Sequence, residues 1–156
     1  MNISDATGIG TLTKLTELSL FGNRLGTIDL RGLHALESLN LANNTLSEID
    51  VSGKAALRTL YLFGNRLSQL DLRETPKLVK LRAEKNQLLE VLFGRMPALE
   101  KVYLFDNKME DIRIDTLTGL RFIDVRSNPM PDEVYDYLDE FSGVKASHDG
   151  NTEDWE

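Results

Sequence analysis

The chain contains no cysteine, which excludes disulfides, thiolate nucleophiles and cysteine-based metal sites. It has two histidines, His34 and His148, and neither has a recurring Ser, Asp or Glu partner from which a catalytic constellation could be built. No apolar run approaches the roughly 18 residues that a membrane helix needs, so no membrane insertion is expected. A basic excess is also lacking. Lys and Arg total 18 against 25 Asp and Glu, for a formal net charge of −7, which argues against nucleic acid as the partner. Glycine-rich phosphate loops are absent, since Gly22, Gly64 and Gly32 are single turn glycines. The start, Met1 to Asp5, lacks the basic and apolar stretches of a secretory signal. Either export by that route is not expected, or the signal has been trimmed from this chain.

What is present is periodic. A length of 156 residues with 41% hydrophobic and 28% charged residues suits one ordered domain with a substantial core. Asparagine recurs every 21 residues at Asn23, Asn44, Asn65, Asn86, Asn107 and Asn128. The same step links Leu15, Leu36, Leu57, Leu78, Leu99 and Leu120, and again Leu18, Leu39, Leu60, Leu81, Val102 and Ile123. Two more columns read Leu20, Leu41, Leu62, Ala83, Leu104, Val125 and Leu25, Leu46, Leu67, Leu88, Met109, Met130.

The segments LTELSLFGNRL, LESLNLANNTL and LRTLYLFGNRL resemble the leucine-rich repeat, L-x-x-L-x-L-x-x-N-x-L, over about residues 12–130. The later half of each unit carries Ile28-Asp29-Leu30, Ile49-Asp50-Val51 and Leu70-Asp71-Leu72. Such short units look like those of bacterial internalin-like and Bacteroidetes surface proteins. The resemblance implies an α/β solenoid: a right-handed arc with a parallel concave β-sheet, an irregular or 3-10 convex side and a C-terminal helical cap. It also implies a surface or secreted setting, while the sequence leaves compartment and organism open. The expected division is a partial N-terminal repeat over 1–14, six 21-residue repeats over 15–130, and a capping helix with an acidic tail over 131–156.

The residues support the same fold. In Glu17-Leu18-Ser19-Leu20-Phe21 apolar residues alternate with others, the period of a half-buried strand. Stacked strands would merge their leucines into one core. Twenty-one residues leave too little chain for a full helix on the return leg, so extended or 3-10 segments are expected there, with Ile28, Leu30 and their equivalents inward. The asparagines are expected to be scaffold, each side-chain amide satisfying backbone groups on two levels. Asn2-Ile3-Ser4 fits a glycosylation sequon, and the Asp29, Asp50, Asp71 column invites a calcium reading; solvated turn residues account for that column, and Asp149-Gly150-Asn151 is too short for a calcium loop. At the C-terminus Pro131 suits a helix start, Gly143 a stop, and Val134, Tyr137, Leu138 and Phe141 share one face. Ser147 to Glu156 is expected to be loosely held, with Trp155 docking on the cap or unpaired. No strand precedes residues 17–21, so that edge should be thinly covered.

If Leu18 and Leu20 point inward, three outward columns follow. They are Glu17, Ser38, Thr59, Lys80, Lys101, Phe122; Ser19, Asn40, Tyr61, Arg82, Tyr103, Asp124; and Phe21, Ala42, Phe63, Glu84, Phe105, Arg126. Six of the chain's eleven aromatics lie in them, and aromatics with arginine are the composition of interface hot spots. The candidate partner-binding residues are therefore Phe21, Tyr61, Phe63, Lys80, Arg82, Glu84, Lys101, Tyr103, Phe105, Phe122, Asp124 and Arg126. Phe21, Phe63 and Phe105 are two strands apart, roughly 10 Å, and are not expected to touch. Arg82 should lie between Tyr61 and Tyr103, stacked on either, with its donor fork outward.

The expected function is non-catalytic: a monomeric module, with no cofactor and no metal, that binds a protein or peptide on the concave face. A glycan-binding surface and a piece of a larger multidomain surface protein are the alternatives. The column assignment has a direct check. Leu62→Ala, mid-array and inward, should lose roughly 2–5 kcal/mol in a denaturant melt, whereas a loss below about 1 kcal/mol would reverse the inward and outward faces.

Overall fold

The computed structural model describes residues 2–150. Met1 and residues 151–156 lie outside them, and with them the expectations for Trp155 and the end of the tail. The elements are a 3-10 turn (Ile9–Thr11) and β1 (Glu17–Ser19), β2 (Ser38–Asn40), β3 (Thr59–Tyr61), β4 (Gln69–Asp71), β5 (Lys80–Arg82), β6 (Glu90–Leu92), β7 (Lys101–Tyr103) and β8 (Phe122–Asp124). Helix α1 (Asp132–Asp139) and β9 (Lys145–Ser147) complete the order. Seven strands form one parallel sheet in the order β1-β2-β3-β5-β7-β8-β9, and β4 and β6 form a second, two-stranded sheet.

Register follows the repeat. Glu17 pairs Ser38, Ser38 pairs Thr59, Thr59 pairs Lys80, Lys80 pairs Lys101 and Lys101 pairs Phe122. The inward columns are buried as their period requires except at the first turn, where Leu15 and Leu20 are only partly covered, and Leu39, Leu60, Leu62 and Leu81 are fully enclosed. The return legs are irregular. Leu30, Val51, Leu72 and Ile114 point into the core, while Ile28 and Ile49 pack against it only partly buried.

The asparagine column holds the turns together. The Asn65 side-chain amide donates to the carbonyls of Leu62, in its own turn, and Leu41, in the turn before, at 2.9 and 3.0 Å. Its Oδ1 accepts the Leu46 N–H at 3.0 Å. Asn44, Asn86, Asn107 and Asn128 repeat this set one turn along each time. At the first turn there is no earlier leucine to donate to Asn23, and the Ile3 N–H takes that role at 3.0 Å.

Just before each asparagine the backbone turns left-handed. Gly22, Asn43, Gly64, Lys85, Asp106 and Ser127 have φ between 54° and 68°, a conformation that costs any residue with a Cβ. The bend is held by the following turn, because Asn43 N–H donates to Phe63 O and Lys85 N–H to Phe105 O. Ser127 has no following repeat, and its N–H donates instead to the Asp149 carboxylate at 2.7 Å.

The C-terminal end departs from expectation in two respects. Tyr135, not assigned to the inward face of α1, is buried with Val134 and Leu138, whereas Tyr137 and Phe141 are only partly covered. An unexpected seventh strand follows the helix, and Ser147, where the loose tail was expected to begin, is its last residue: β9 pairs β8 with Phe122 opposite Lys145. That step is 23 residues rather than 21, and the helix occupies the space a full repeat would fill. His148 then stacks on Tyr135, ring centroids 4.8 Å apart, and contacts Asp139 at 3.1 Å. At the other end β1 is paired on one side only among the described residues. Leu12, equivalent to the buried Leu33, is 51% exposed there.

One inward column contains a charge. Lys54 occupies the position of Leu33 and Met96 and is buried, with Nζ donating to the Ser52 carbonyl at 3.0 Å. Burial lowers its pKa below the ordinary lysine range, against the opposing pull of Asp50, Asp29 and Glu74.

Removing one asparagine leaves a buried N–H and two carbonyls short of partners, at about 1–3 kcal/mol for each unsatisfied group. Asn65→Ala should therefore lose about 3 kcal/mol or more in urea unfolding, and Asn23→Ala, at the open end, clearly less. Equal losses would remove the inter-turn role.

Candidate functional site

Three short strands in register, β3, β5 and β7, place the side chains of Thr59 to Phe63, Lys80 to Glu84 and Lys101 to Phe105 in rows. Successive side chains of a strand alternate between faces, so Tyr61, Arg82 and Tyr103 stand side by side on the face away from the core. Outside this row lie Lys80 and Lys101, neighbours across one strand spacing. On the opposite flank the order is Phe63, Glu84, Phe105.

The cations lie over the rings, but not in the arrangement expected. Lys80 Nζ sits 5.5 Å from the Tyr61 ring centre and 5.8 Å from that of Tyr103. The Arg82 guanidinium lies 4.6 Å above Phe63 and 5.5 Å from Tyr103. Arg82 is thus between the two tyrosines by register and lies over one of them, Tyr103, as well as over Phe63. Its fork does not face outward. Nε and the terminal nitrogen both donate to Glu84 Oε1, the former at 2.8 Å. The reason is sequence-local: Glu84 is two residues on, on the same face, and offers a carboxylate nearer than solvent.

Glu84 and Asp124, both expected outward and available, are covered instead. Glu84 is 1% exposed, and its Oε2 has no hydrogen-bond partner among the described residues. Asp124 is 3% exposed, and Arg126 closes over it with contacts of 2.9 and 2.6 Å. That pairing raises the Arg126 pKa. Ala42 is likewise fully buried. The expectation that the phenylalanines stay apart also fails. Phe21 and Phe63 lean together over the small Ala42, ring centroids 6.2 Å apart, and Phe21 stays 50% exposed. Tyr103 packs on Phe122 at 5.1 Å, and Arg126 lies 5.9 Å from Phe105.

The structure therefore gathers eleven of the candidate residues into a lattice of rings, cations and covered acids made of two clusters: eight around Arg82 and Tyr103, from Phe21 to Phe122, and three around Arg126, with Asp124 and Phe105. Lys101 stands beside that lattice, exposed and without an ion pair among the described residues. Asp29 and Asp71 are engaged by Arg31 and Arg73 within their own turns, and Arg31 holds the Asp29 carboxyl down to about 2. Asp50 accepts the Ser52 N–H at 2.8 Å. Among the described residues no group of three or more His, Asp or Glu is placed to hold a metal. A groove of about 610 Å³ on the return side is lined by Leu89, Leu92, Phe93 and Arg113. Its far wall is held by the cap, since Ile114 N–H donates to the Tyr137 hydroxyl at 2.9 Å.

With parallel register at 21-residue steps and an asparagine rung in every turn, the architecture is decided. The fold is that of a leucine-rich repeat solenoid. A family model described as leucine-rich repeats in two copies matches residues 2–53. Among solved structures, internalin C2 of Listeria monocytogenes is similar over 94% of this chain and 67% of its own, with 26% identity and a TM-score of 0.82. A second internalin of that organism gives a TM-score of 0.85 at 20% identity, over 96% of this chain and 46% of its own. A chain from an octameric complex of latrophilin 3, Unc5D and the leucine-rich repeat protein FLRT2 gives 0.72 at 22% identity, covering 90% and 51%. The solenoid spans about half the length of the latter two. Comparison with curated proteins returns no match.

Since Arg82 covers a buried carboxylate, its removal costs more than the roughly 1 kcal/mol expected of an exposed arginine. Arg82→Ala should lose about 2 kcal/mol by opening an unpaired acid. Arg82→Met with Glu84→Met should lose less than about 1 kcal/mol. A double-mutant cycle by urea unfolding checks the pair, and additive losses would mean that it is not coupled.

Proposed function

We propose that this solenoid is a non-catalytic binding module that receives a protein or peptide on the outer face of its seven-stranded sheet. The observation that carries the proposal is the lattice itself. Tyr61, Phe63, Tyr103 and Phe105 are half-buried rings held in place by the cations stacked on them. Rings immobilised in this way lose little conformational entropy when a partner packs against them. Aromatic and arginine residues are also those that dominate protein interfaces. That a similar solenoid comes from an octameric protein complex supports a protein partner. A sugar is less well served, because the faces of Tyr61 and Tyr103 that would stack on it carry Lys80 and Arg82.

The test is affinity capture followed by quantitative mass spectrometry with two variants. Phe63→Ala with Tyr103→Ala removes the rings of the sheet face, and Leu89→Ser alters the return-side groove. Partners should be depleted at least tenfold by the first and retained by the second. Depletion by Leu89→Ser alone would move the site to the groove, and capture of glycans rather than proteins would replace the ligand class.

A further inference from the structure

The charge on this face is the reverse of the charge on the chain. The whole sequence has a formal net charge of −7, yet the centre of the sheet face shows solvent almost only cations. Glu84 and Asp124 lie beneath the guanidinium groups of Arg82 and Arg126, whose side chains are 37% and 56% exposed while those of their acids are 1% and 4%. These two pairs are neutral overall, with the positive end outermost. Lys80 and Lys101 are not neutralised at all. They are register partners on adjacent strands, and neither has an acidic side chain within salt-bridge distance among the described residues. Like charges directly opposite in a sheet are destabilising. Two of them remaining without a countercharge along the edge of a half-buried aromatic patch leaves a site that an anion from outside would complete.

We propose, resting on the sheet-face reading above, that the partner contributes an extended acidic segment whose carboxylates lie over Lys80 and Lys101. Alternate residues of an extended chain are roughly 6.8 Å apart and point the same way, so two carboxylates separated by one residue reach both ammonium groups. Residues between or beyond them meet Tyr103 and Phe122, whose packed rings border Lys101. Charge complementarity selects the occupant. A phosphate backbone is disfavoured, because it needs a run of cations along its length, and beyond the Arg82 and Arg126 pairs this strip offers two in an acidic chain.

The experiment titrates the intact, isotopically labelled chain with three probes and reads amide shifts and affinity. The probes are a peptide of three Glu-Ser-Glu-Phe units, the same peptide with Gln for Glu, and a twelve-residue oligothymidylate. The acidic peptide should bind at least tenfold more tightly than its Gln counterpart, weaken as salt is raised, and shift amides of residues 80–82 and 101–103. Lys80→Gln with Lys101→Gln should abolish that preference, and Lys80→Glu with Lys101→Glu should reverse it. Lys101 is exposed and Lys80 only half-buried, so both variants should still unfold in one cooperative thermal transition, which separates lost binding from a lost fold. Lys77→Glu with Arg95→Glu makes the same charge change elsewhere and should preserve at least half of the preference. Equal binding of both peptides on this face would overturn the acidic partner and leave the sheet-face reading standing. Shifts confined to the return side would overturn both. No shift with either peptide would overturn the acidic segment, and tighter binding of the oligothymidylate would replace it with a nucleic acid.

Discussion

Each turn of this chain contributes one three-residue strand to the main sheet and a few leucines to the core, too little apolar surface to fold without its neighbours. Stacking the turns supplies the core, but it also buries the backbone of the bend after each strand, and those polar groups need partners. The asparagine rung meets that need. A side-chain amide has two donors and an acceptor, so Asn65 can serve Leu62, Leu41 and Leu46 together, and the next rung does the same for the next pair of turns. Sheet register, burial of the leucine columns and the outward rows all follow from turns locked in this way.

The ends show the same constraint with different residues. At the first described turn the backbone of Ile3 completes the asparagine rung. Where no later turn exists, Ser147 accepts the Val125 N–H and Asp149 accepts that of Ser127. A seventh strand thus extends the sheet beyond the last leucine repeat, with α1 inserted between β8 and β9. The Tyr135, His148 and Asp139 contacts bind helix and strand to each other.

On the outer face, the proposed binding surface and the stability of the fold share residues. The rings that offer apolar area are held by cations, and two of those cations cover carboxylates that would otherwise be open to solvent. In the proposed function such contacts would order the side chains before a partner arrives, which lowers the entropic cost of binding. The lattice also divides the cations into two kinds. Arg82 and Arg126 are committed to internal acids, whereas Lys80 and Lys101 remain available.

Fold and inward columns were legible in the sequence because both are governed by local periods: two residues along a strand and 21 along the chain. Leu62, Asn65 and Tyr61 could be placed by counting, since a parallel strand in register carries every equivalent residue to the same face. The left-handed bend was hidden, because Gly22, Asn43, Lys85 and Ser127 share a conformation but no side-chain chemistry, and the next turn's carbonyls impose it. Strand β9 was hidden because the helix shifts its spacing from 21 to 23. Within the candidate site the sequence determined which residues face outward. Only the tertiary structure decided that Phe21 reaches Phe63 across Ala42, that Lys80 rather than Arg82 covers Tyr61, and that Glu84 and Asp124 are covered. Those outcomes depend on side-chain torsions chosen among neighbours one or two strands away, where the nearest countercharge and the smallest intervening residue set the direction in which each side chain leans.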